Sequence, residues 1–216
     1  YNFARTFTAD VIDRFCEGYL RGETPNPCID CNRYVKFAAL QQRRRELGFD
    51  YVATGHYARR RYNEETGRYE LLRGVDANKD QSYVLFHLTQ DTLAHMLFPL
   101  GDLTKPQVRD LALAHGFINA QKAESQDICF VPDGDYAAFI KRREEAKALA
   151  NGTGEAAGRT QGIAGIDTPG PIENREGVVL GTHQGLVHYT VGQRKGIGVA
   201  YSEPLYVFAK DSERNA

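Results

Sequence analysis

The 216-residue chain has few cysteines, no long apolar run and almost no net charge. Four cysteines are too few for a disulfide scaffold, so we expect a reducing cytoplasm, where clustered thiols more often bind metal or catalyse. No apolar run approaches about 18 residues and no signal-peptide pattern opens the chain, so we expect no membrane segment and no membrane partner. A net charge of −1 excludes a global basic signature for nucleic acid.

Basic residues are nevertheless clustered along the sequence. Taken singly, each cluster is typical of a solvated helix or hairpin face. Several clusters folded onto one side would instead form a local phosphate-binding patch. The clusters lie at 43–45, 59–61, 141–143 and 194–195.

The apolar pattern predicts an α/β first part and a small β-rich second part. Between them, residues 151–170 hold six glycines, which is typical of a linker. Helices are predicted over 8–21, 32–47 with Asn32 as cap, 90–97, 104–116 with Thr104 as cap, and 134–150. Strands are predicted over 51–54, in a hairpin over 57–73, and in the stretches SQDICFV, GVVLGTHQ, LVHYTVG and PLYVFAK.

The stretch TPNPCIDCN, residues 24–32, places Cys28 and Cys31 in a turn-rich loop before a helix. A single CxxC pair fits half a zinc site, a thiol–disulfide motif, a pair of cluster ligands or coincidence. Structural zinc needs four ligands, and no second CxxC or HxxxH pair occurs in the sequence, so we predict no zinc site. Cys129 adds a third thiol. It fits a buried strand cysteine or, with the loop thiols, a sulfur-transfer system in which one cysteine carries a persulfide and another attacks it.

Several polar residues stand at loop positions, and each has two interpretations. His56 follows a predicted strand, where ligands bind in open α/β sheets, yet a lone histidine is more often structural. The trio 79–81, Lys-Asp-Gln, fits an ordinary turn. Gln193, in YTVGQRKGIG, fits a charged turn or a loop that contacts phosphate and sugar. Cys16 lies on the first helix, where we expect it to be buried and inert.

Six stretches occur in one order: TPNPCIDCNRYVKF, ATGHYAR, KDQSYVL, FPLGDLTKPQVR, SQDICFV and GLVHYTVGQRKGIG. Together they resemble the tRNA-specific 2-thiouridylase family (MnmA, also called TrmU), over nearly the whole chain. The resemblance implies an α/β fold. Residues 1–134 would be the remainder of an adenine-nucleotide α-hydrolase-like (PP-loop ATPase) domain. Residues 135–216 would be a small β-rich central domain that binds tRNA.

The resemblance also implies a reaction on the wobble uridine (U34) of tRNA. ATP, with Mg²⁺, adenylates the C2 oxygen, and sulfur from a cysteine persulfide then displaces AMP. In the family pattern Cys31 matches the nucleophile and Cys129 matches the persulfide carrier. The implied partners are tRNA, with lysine, glutamate and glutamine acceptors, and a cysteine desulfurase or sulfur-relay protein.

Further positions match family residues that contact substrate. Contacts to the target base are matched by Asn26, Pro27 and Cys28. Contacts to the rest of the tRNA are matched by His56, Lys79, Asp80, Gln81 and Gln193. A contact to ATP is matched by Gly55.

The chain departs from the family pattern in two ways. Many members carry aspartate where this chain has Cys28, and a thiol there would act as a proton carrier, a sulfur acceptor or a cluster ligand. Cys28, Cys31 and Cys129 could together hold an iron–sulfur cluster, so the persulfide and cluster versions both stay open. The family's SGGxDS loop and most of its C-terminal barrel are also missing, so we expect a fragment that does not adenylate tRNA alone.

Two rival functions remain. The first is a non-catalytic tRNA-binding or metal-binding module built on the same three cysteines. The second is a thiol–disulfide oxidoreductase that uses Cys28 and Cys31 and needs neither Cys129 nor ATP.

Overall fold

The computed structural model describes residues 2–121, 128–150 and 166–216 of the protein, which packs as two units. Unit 1 contains Tyr1–Val11 and Pro27–Gln126, and unit 2 contains Ile12–Asn26 and Asp127–Ala216. The expected sequence boundary at residue 134 stays a prediction, because the units follow packing rather than chain order. Within the three described ranges, no helix has both the length and the apolarity that crossing a membrane would require.

The chain begins with helical elements, and strands and helices mix from Val52 onward. The α-helices are α1 Ala4–Phe7, α2 Arg14–Leu20, α3 Pro27–Asp30, α4 Leu40–Leu47, α5 Gln90–Ala94, α6 Lys105–Ala114 and α7 Tyr136–Ala150. Wider π-helical turns form Thr8–Asp13 and Cys31–Ala39, and 3₁₀ turns form Ser82–Leu85 and Leu186–His188. The strands are β1 Val52–Ala53, β2 Ala58–Asn63, β3 Arg68–Arg73, β4 Met96–Leu97, β5 Gly170–Glu173 and β6 Val179–His183.

A short parallel strand pair lies in unit 1. β1 pairs with β4, with Val52 opposite Met96. The helix predicted over 90–97 is wrong in its last residues, because α5 ends at Ala94. Arg60 Nη1 donates to the carbonyl oxygens of Leu93 and Ala94, at 2.9 and 2.6 Å. These bonds satisfy the last carbonyl groups of α5, which have no partner within the helix, and the residues that follow pair with β1.

The core of unit 1 joins the strand pair to the hairpin and the helices. The predicted hairpin is confirmed as β2 and β3, which pair antiparallel along their whole length. The helix predicted from Thr104 is confirmed as α6, with Thr104 N–H donating to Gln107 Oε1 at 2.8 Å. The buried residues of this core are Phe37, Ala58, Val84, Leu85, Leu93, Met96 and Phe98.

The core of unit 2 packs α2 against α7. Its buried residues are Phe15, Cys16, Tyr19, Ala137, Ile140, Ile166 and Val187. Antiparallel strands β5 and β6 pair beside this core, with an irregularity between Ile172 and Glu173. Cys16 is fully buried, and burial raises the pKa of its thiol to about 12, which confirms the expectation of an inert cysteine.

Three of the predicted strands, one around Cys129 and two in the second part, are wrong in the residues that the structure describes. Around Cys129, residues 128–131 form a turn closed by Val131 N–H donating to the Ile128 carbonyl at 2.8 Å. In LVHYTVG the backbone closes a 3₁₀ turn. In PLYVFAK, Val207 exchanges backbone hydrogen bonds with Gly192 and Gln193. Two such bonds are too few for a ladder. Residues 151–165, most of the predicted linker, lie outside the described residues.

Gly101 gives the first testable prediction. A Cβ on this buried glycine would overlap the carbonyl oxygen of Ala58, which is backbone and cannot swing aside. We expect Gly101→Ala to lower the free energy of unfolding by about 2–4 kcal/mol, measured by urea denaturation.

The matched control is Gly55→Ala. A Cβ there would meet only the Leu100 side chain within 4 Å, at an ordinary 3.5 Å. We expect this change to stay within about 0.5 kcal/mol of the wild type. Equal stabilities for the two variants would contradict the packing described around Gly101.

Candidate functional site

The CxxC stretch begins a helix rather than preceding one. Pro27 is the buried first residue of α3, a position that suits proline because its nitrogen needs no donor there. Cys28 is exposed and Cys31 is half-buried. Cys28 lies in α3 and Cys31 is the first residue of the winding that follows it. Residues three apart on a helix are neighbours on one face.

The expected cap Asn32 is wrong, because Asn32 lies inside the helical run and is 2% exposed. We call the winding Cys31–Ala39 the π segment; it follows α3 without a break. Asn32 precedes Val35 by three residues, and both are buried. That helical spacing is the signal in the sequence that could have identified Asn32 as an inward-facing polar residue.

A hydrogen-bonded triad joins the π segment to the end of β1. Asn32 Oδ1 lies 3.1 Å from His56 Nε2, and Thr54 Oγ1 lies 2.8 Å from His56 Nδ1. Since the amide oxygen is an acceptor, His56 donates through Nε2–H and accepts from the threonine hydroxyl. Both ring nitrogens are thereby satisfied by protein groups.

The surroundings of His56 keep it neutral. Its ring is 7% exposed and lies 5.7 Å from the Phe37 ring and 6.4 Å from the Phe98 ring, between centroids. Burial, with a smaller contribution from the charge of Lys36, lowers the pKa of His56 to about 4. The structure therefore places the sequence candidate His56 inside unit 1. There it positions α3 and the π segment, which we together call the cysteine helix.

The trio at 79–81 fastens a loop to the hairpin. Asp80 Oδ1 accepts from the Gly74 N–H at 2.9 Å, and Oδ2 accepts from the Ser82 hydroxyl at 2.8 Å. Gln81 Oε1 accepts from the Tyr57 N–H at 3.1 Å, and the Gln81 N–H donates to the Tyr57 carbonyl at 2.9 Å. Asp80 and Gln81 therefore position this loop.

The first two residues of the trio, Lys79 and Asp80, carry opposite charges. Burial raises the pKa of Asp80, but its hydrogen bonds and the charge of Arg73 outweigh burial, so the pKa is lowered and the carboxylate stays ionised. Lys79 is half-buried, and its N–H donates to the Asp76 carbonyl at 3.0 Å. The side chain of Lys79 stands at the turn that the other two residues hold.

Gly55 is the exposed residue between β1 and His56. Its φ angle lies outside the left-handed region, and a Cβ would meet only an ordinary contact. Neither the backbone conformation nor the packing of unit 1 therefore requires glycine here. The position follows the carboxyl end of a parallel strand, the edge where ligands bind in open α/β sheets.

Two candidate residues belong to unit 2. Cys129 is exposed in a turn that its neighbours anchor, because Val131 is 1% exposed and the Phe130 ring packs edge-on against Phe15 at 5.4 Å. Gln193 braces its own loop: Oε1 accepts from the Thr190 N–H and Nε2 donates to the Lys195 carbonyl, each at 2.9 Å.

Asn26 and Pro27 straddle the division between the units. Asn26 is exposed in unit 2, whereas Pro27 opens α3 in unit 1. Across the described ranges 2–121, 128–150 and 166–216, no group of three His, Cys, Asp or Glu residues is arranged to hold a metal ion.

The basic clusters serve largely to brace structure. In the hairpin cluster, Arg60 caps α5, Arg61 pairs with Glu70 at 2.7 Å and Arg59 lies 3.6 Å from Asp102. Such exposed pairs contribute about 1 kcal/mol or less each.

Two family models match the chain. Residues 1–133 match one described as "tRNA methyl transferase HUP domain", and residues 162–216 match one described as "tRNA methyl transferase PRC-barrel domain". These matches confirm the predicted α/β fold class: a HUP domain of PP-loop ATPase type, followed by a small barrel-like domain.

Curated relatives extend the comparison to the whole chain. The tRNA-specific 2-thiouridylase MnmA of Moorella thermoacetica is 53% identical over 215 residues, which is 100% of this chain and 55% of the relative. The proteins of the same name in Carboxydothermus hydrogenoformans and Heliobacterium modesticaldum are 50% and 49% identical, over 99% and 100% of this chain and 53% and 51% of the relatives. The chain therefore spans about half the length of the curated relatives it matches.

The triad generates a prediction about pH. His56 stays neutral in the folded protein down to about pH 4, whereas in the unfolded chain its pKa is the ordinary histidine value of about 6.5. Its contribution to stability is therefore complete above pH 6.5 and is lost as the pH falls through 4, by about 3 kcal/mol in all. We expect NMR titration of the His56 ring to give the low midpoint.

The variant Asn32→Asp reverses the electrostatics of the triad. A carboxylate facing Nε2 favours the imidazolium form, so the His56 pKa should rise in this variant. His115, which is outside the triad, serves as the reference resonance. A wild-type His56 midpoint near 6.5, or no change in the variant, would show that the ring is not enclosed as described.

Proposed function

The chain belongs to the tRNA-specific 2-thiouridylase family, and on this premise we propose that the intact protein replaces the C2 oxygen of the wobble uridine (U34) of tRNA with sulfur. The observation that carries the proposal is the exposure of three thiols. Cys28 is exposed and Cys31 half-buried in adjoining helical elements, and Cys129 is exposed in its turn. Sulfur transfer needs accessible thiols, and this chain keeps three while it buries the fourth.

The family descriptions use the words methyl transferase, which name a different chemistry. Methyl transfer moves a carbon group and gives no role to several accessible thiols. We favour thiolation because relatives about half identical to this chain carry that name, and because the cysteines stand in accessible positions.

Each cysteine has a proposed role. Cys129 carries the sulfur as a persulfide, and the Cys31 thiolate attacks the Cys129 sulfur. The bond between that sulfur and the terminal sulfur breaks, and hydrosulfide leaves to attack C2 of the uridine. The activated oxygen departs from C2, and the Cys31–Cys129 disulfide that remains returns to two thiols by reduction with an external dithiol.

ATP, bound with Mg²⁺, would supply the adenylyl group that turns the C2 oxygen into a leaving group. Within this chain Gly55 fits contact with the nucleotide, because nothing in the protein itself requires a glycine at that exposed strand end. A missing side chain there lets a ligand approach the backbone closely. No residue of this chain is assigned to Mg²⁺.

The remaining motif residues act on tRNA in two ways. Asn26 precedes α3, and Pro27 and Cys28 are its first two residues. These three residues are proposed to contact the target base. Lys79 is proposed to contact the tRNA directly. The buried or loop-bracing residues, His56, Asp80, Gln81 and Gln193, are proposed to act by holding the loops that contact it.

We propose the persulfide version over the iron–sulfur version. The exchange needs only the two thiols Cys31 and Cys129 and no resident metal, so no step is assigned to a cluster. Cys28 is then proposed to stand in for the aspartate of other members as a proton carrier. The sulfur comes from a cysteine desulfurase or a relay protein, the substrates are tRNAs for lysine, glutamate and glutamine, and the reaction belongs in the cytoplasm.

The first test measures 2-thiouridine in bulk tRNA by mass spectrometry. The cells carry the gene for the intact protein as their only gene for a tRNA 2-thiouridylase. We expect Cys129→Ser and Cys31→Ser to abolish the modification, because each removes a sulfur from the transfer. Cys28→Asp should retain most of it, and Cys16→Ala, which touches no step, is the control. Full 2-thiouridine in Cys129→Ser would favour the binding-module rival, and loss confined to Cys28 and Cys31 variants would favour the oxidoreductase.

The second test concerns the nucleotide. Gly55→Val places a branched side chain where the nucleotide would approach, and we expect a rise in the KM for ATP of about tenfold or more with little change in melting temperature. The measurement is ATP-dependent tRNA thiolation by the intact protein. An unchanged KM would remove Gly55 from the ATP site without affecting the roles of the cysteines.

A further inference from the structure

The 3₁₀ turn Ser82–Leu85 and the next residue divide their side chains between core and solvent. Val84 and Leu85 are 4% and 0% exposed and belong to the core of unit 1. Tyr83 and Phe86 are 63% and 69% exposed. In a 3₁₀ turn the side chains at positions i and i+3 lie nearly in line, so the two rings project on one side.

The backbone beneath these rings is fixed. The Ser82 N–H and hydroxyl both donate to Asp80, and the Val84 N–H donates to the Gln81 carbonyl at 3.2 Å. Gln81 is itself bonded to Tyr57 through backbone and side chain. A ring on a fixed backbone loses little conformational entropy when something stacks on it.

The two rings lie beside the cysteine helix and near positive charge. The 3₁₀ turn contacts both α3 and the π segment, which carry Cys28 and Cys31. The Phe86 ring lies 5.8 Å from the His87 ring, and burial, with the charge of Arg33, lowers the pKa of His87. His87 is therefore neutral, and Arg33, exposed on the π segment, supplies the positive charge near His87, the neighbour of Phe86.

We propose that Tyr83 and Phe86 form a stacking platform for an unpaired nucleobase of the tRNA anticodon loop, with Arg33 contacting the neighbouring phosphate. The proposal rests on the proposed function, which makes tRNA the substrate. Single-stranded loops are recognised chiefly by stacking of splayed bases on aromatic rings, with arginine at the backbone. A pair of isolated rings flanked by a cation fits a base and its phosphate better than it fits the broad apolar face of a protein partner.

The test is binding of an anticodon stem-loop RNA to the intact protein, followed by fluorescence anisotropy at several salt concentrations. We expect Tyr83→Ala and Phe86→Ala each to weaken binding roughly 5- to 100-fold, with no change in the dependence on salt. Arg33→Gln should weaken binding and reduce the slope of log K against log salt by about 1.

Three controls separate stacking from a folding defect. Tyr83→Phe and Phe86→Tyr keep a ring and should bind nearly as the wild type does. Phe49→Ala removes a ring that is 62% exposed but lies before β1, and it should change nothing. A duplex RNA without a loop should bind the wild type and the two alanine variants equally.

Two outcomes would overturn the platform. Wild-type loop binding by both alanine variants would exclude stacking, whatever Arg33→Gln does. Normal RNA binding with lost binding of a sulfur-relay protein would assign the rings to a protein interface instead. Either result leaves the thiolation test of Cys129 untouched, so failure of the platform and failure of the proposed function are distinguishable.

Discussion

The candidate site depends on one hydrogen-bonded link between a helix and a strand end. Asn32 and Thr54 hold His56 from its two sides, and the ring in turn fixes the cysteine helix against β1. Because the ring is enclosed by Phe37 and Phe98, the link works in an apolar setting where an unmet polar group would be costly. The cysteine positions and the strand end at Gly55 therefore share one support.

Other polar motif residues also hydrogen-bond to the protein itself. The side chains of Asp80 and Gln81 accept hydrogen bonds from the backbone beside the hairpin. The Gln193 side-chain amide hydrogen-bonds within its own loop. The neighbours of these braces include half-buried Lys79 and the exposed rings of Tyr83 and Phe86. On the proposed function, these polar residues support tRNA recognition while they contact only the protein itself.

Local chemistry accounts for what could be predicted from the sequence. The hairpin and α6 follow from turn residues, alternation and a cap, all of which act within a few residues. The failures share a distant partner: Met96 joins β1 more than forty positions away, and Asn32 turns inward to meet His56. The stretch at 204–210 has strand composition but meets too few backbone partners to form a ladder. The cysteine pair was evident from the sequence, whereas the role of its asparagine neighbour required knowledge of the facing strand.

The way the chain divides between its two units has a consequence for how it folds. The chain changes unit at 11/12, 26/27 and 126/127, so α2 packs with partners made more than a hundred residues later. During synthesis the apolar face of α2, with Phe15 and Tyr19, stays exposed until the rest of unit 1 and then α7 have been made. Unit 2 therefore has a high contact order and a long exposed interval, which makes it the part most dependent on chaperones and least amenable to excision as one contiguous piece.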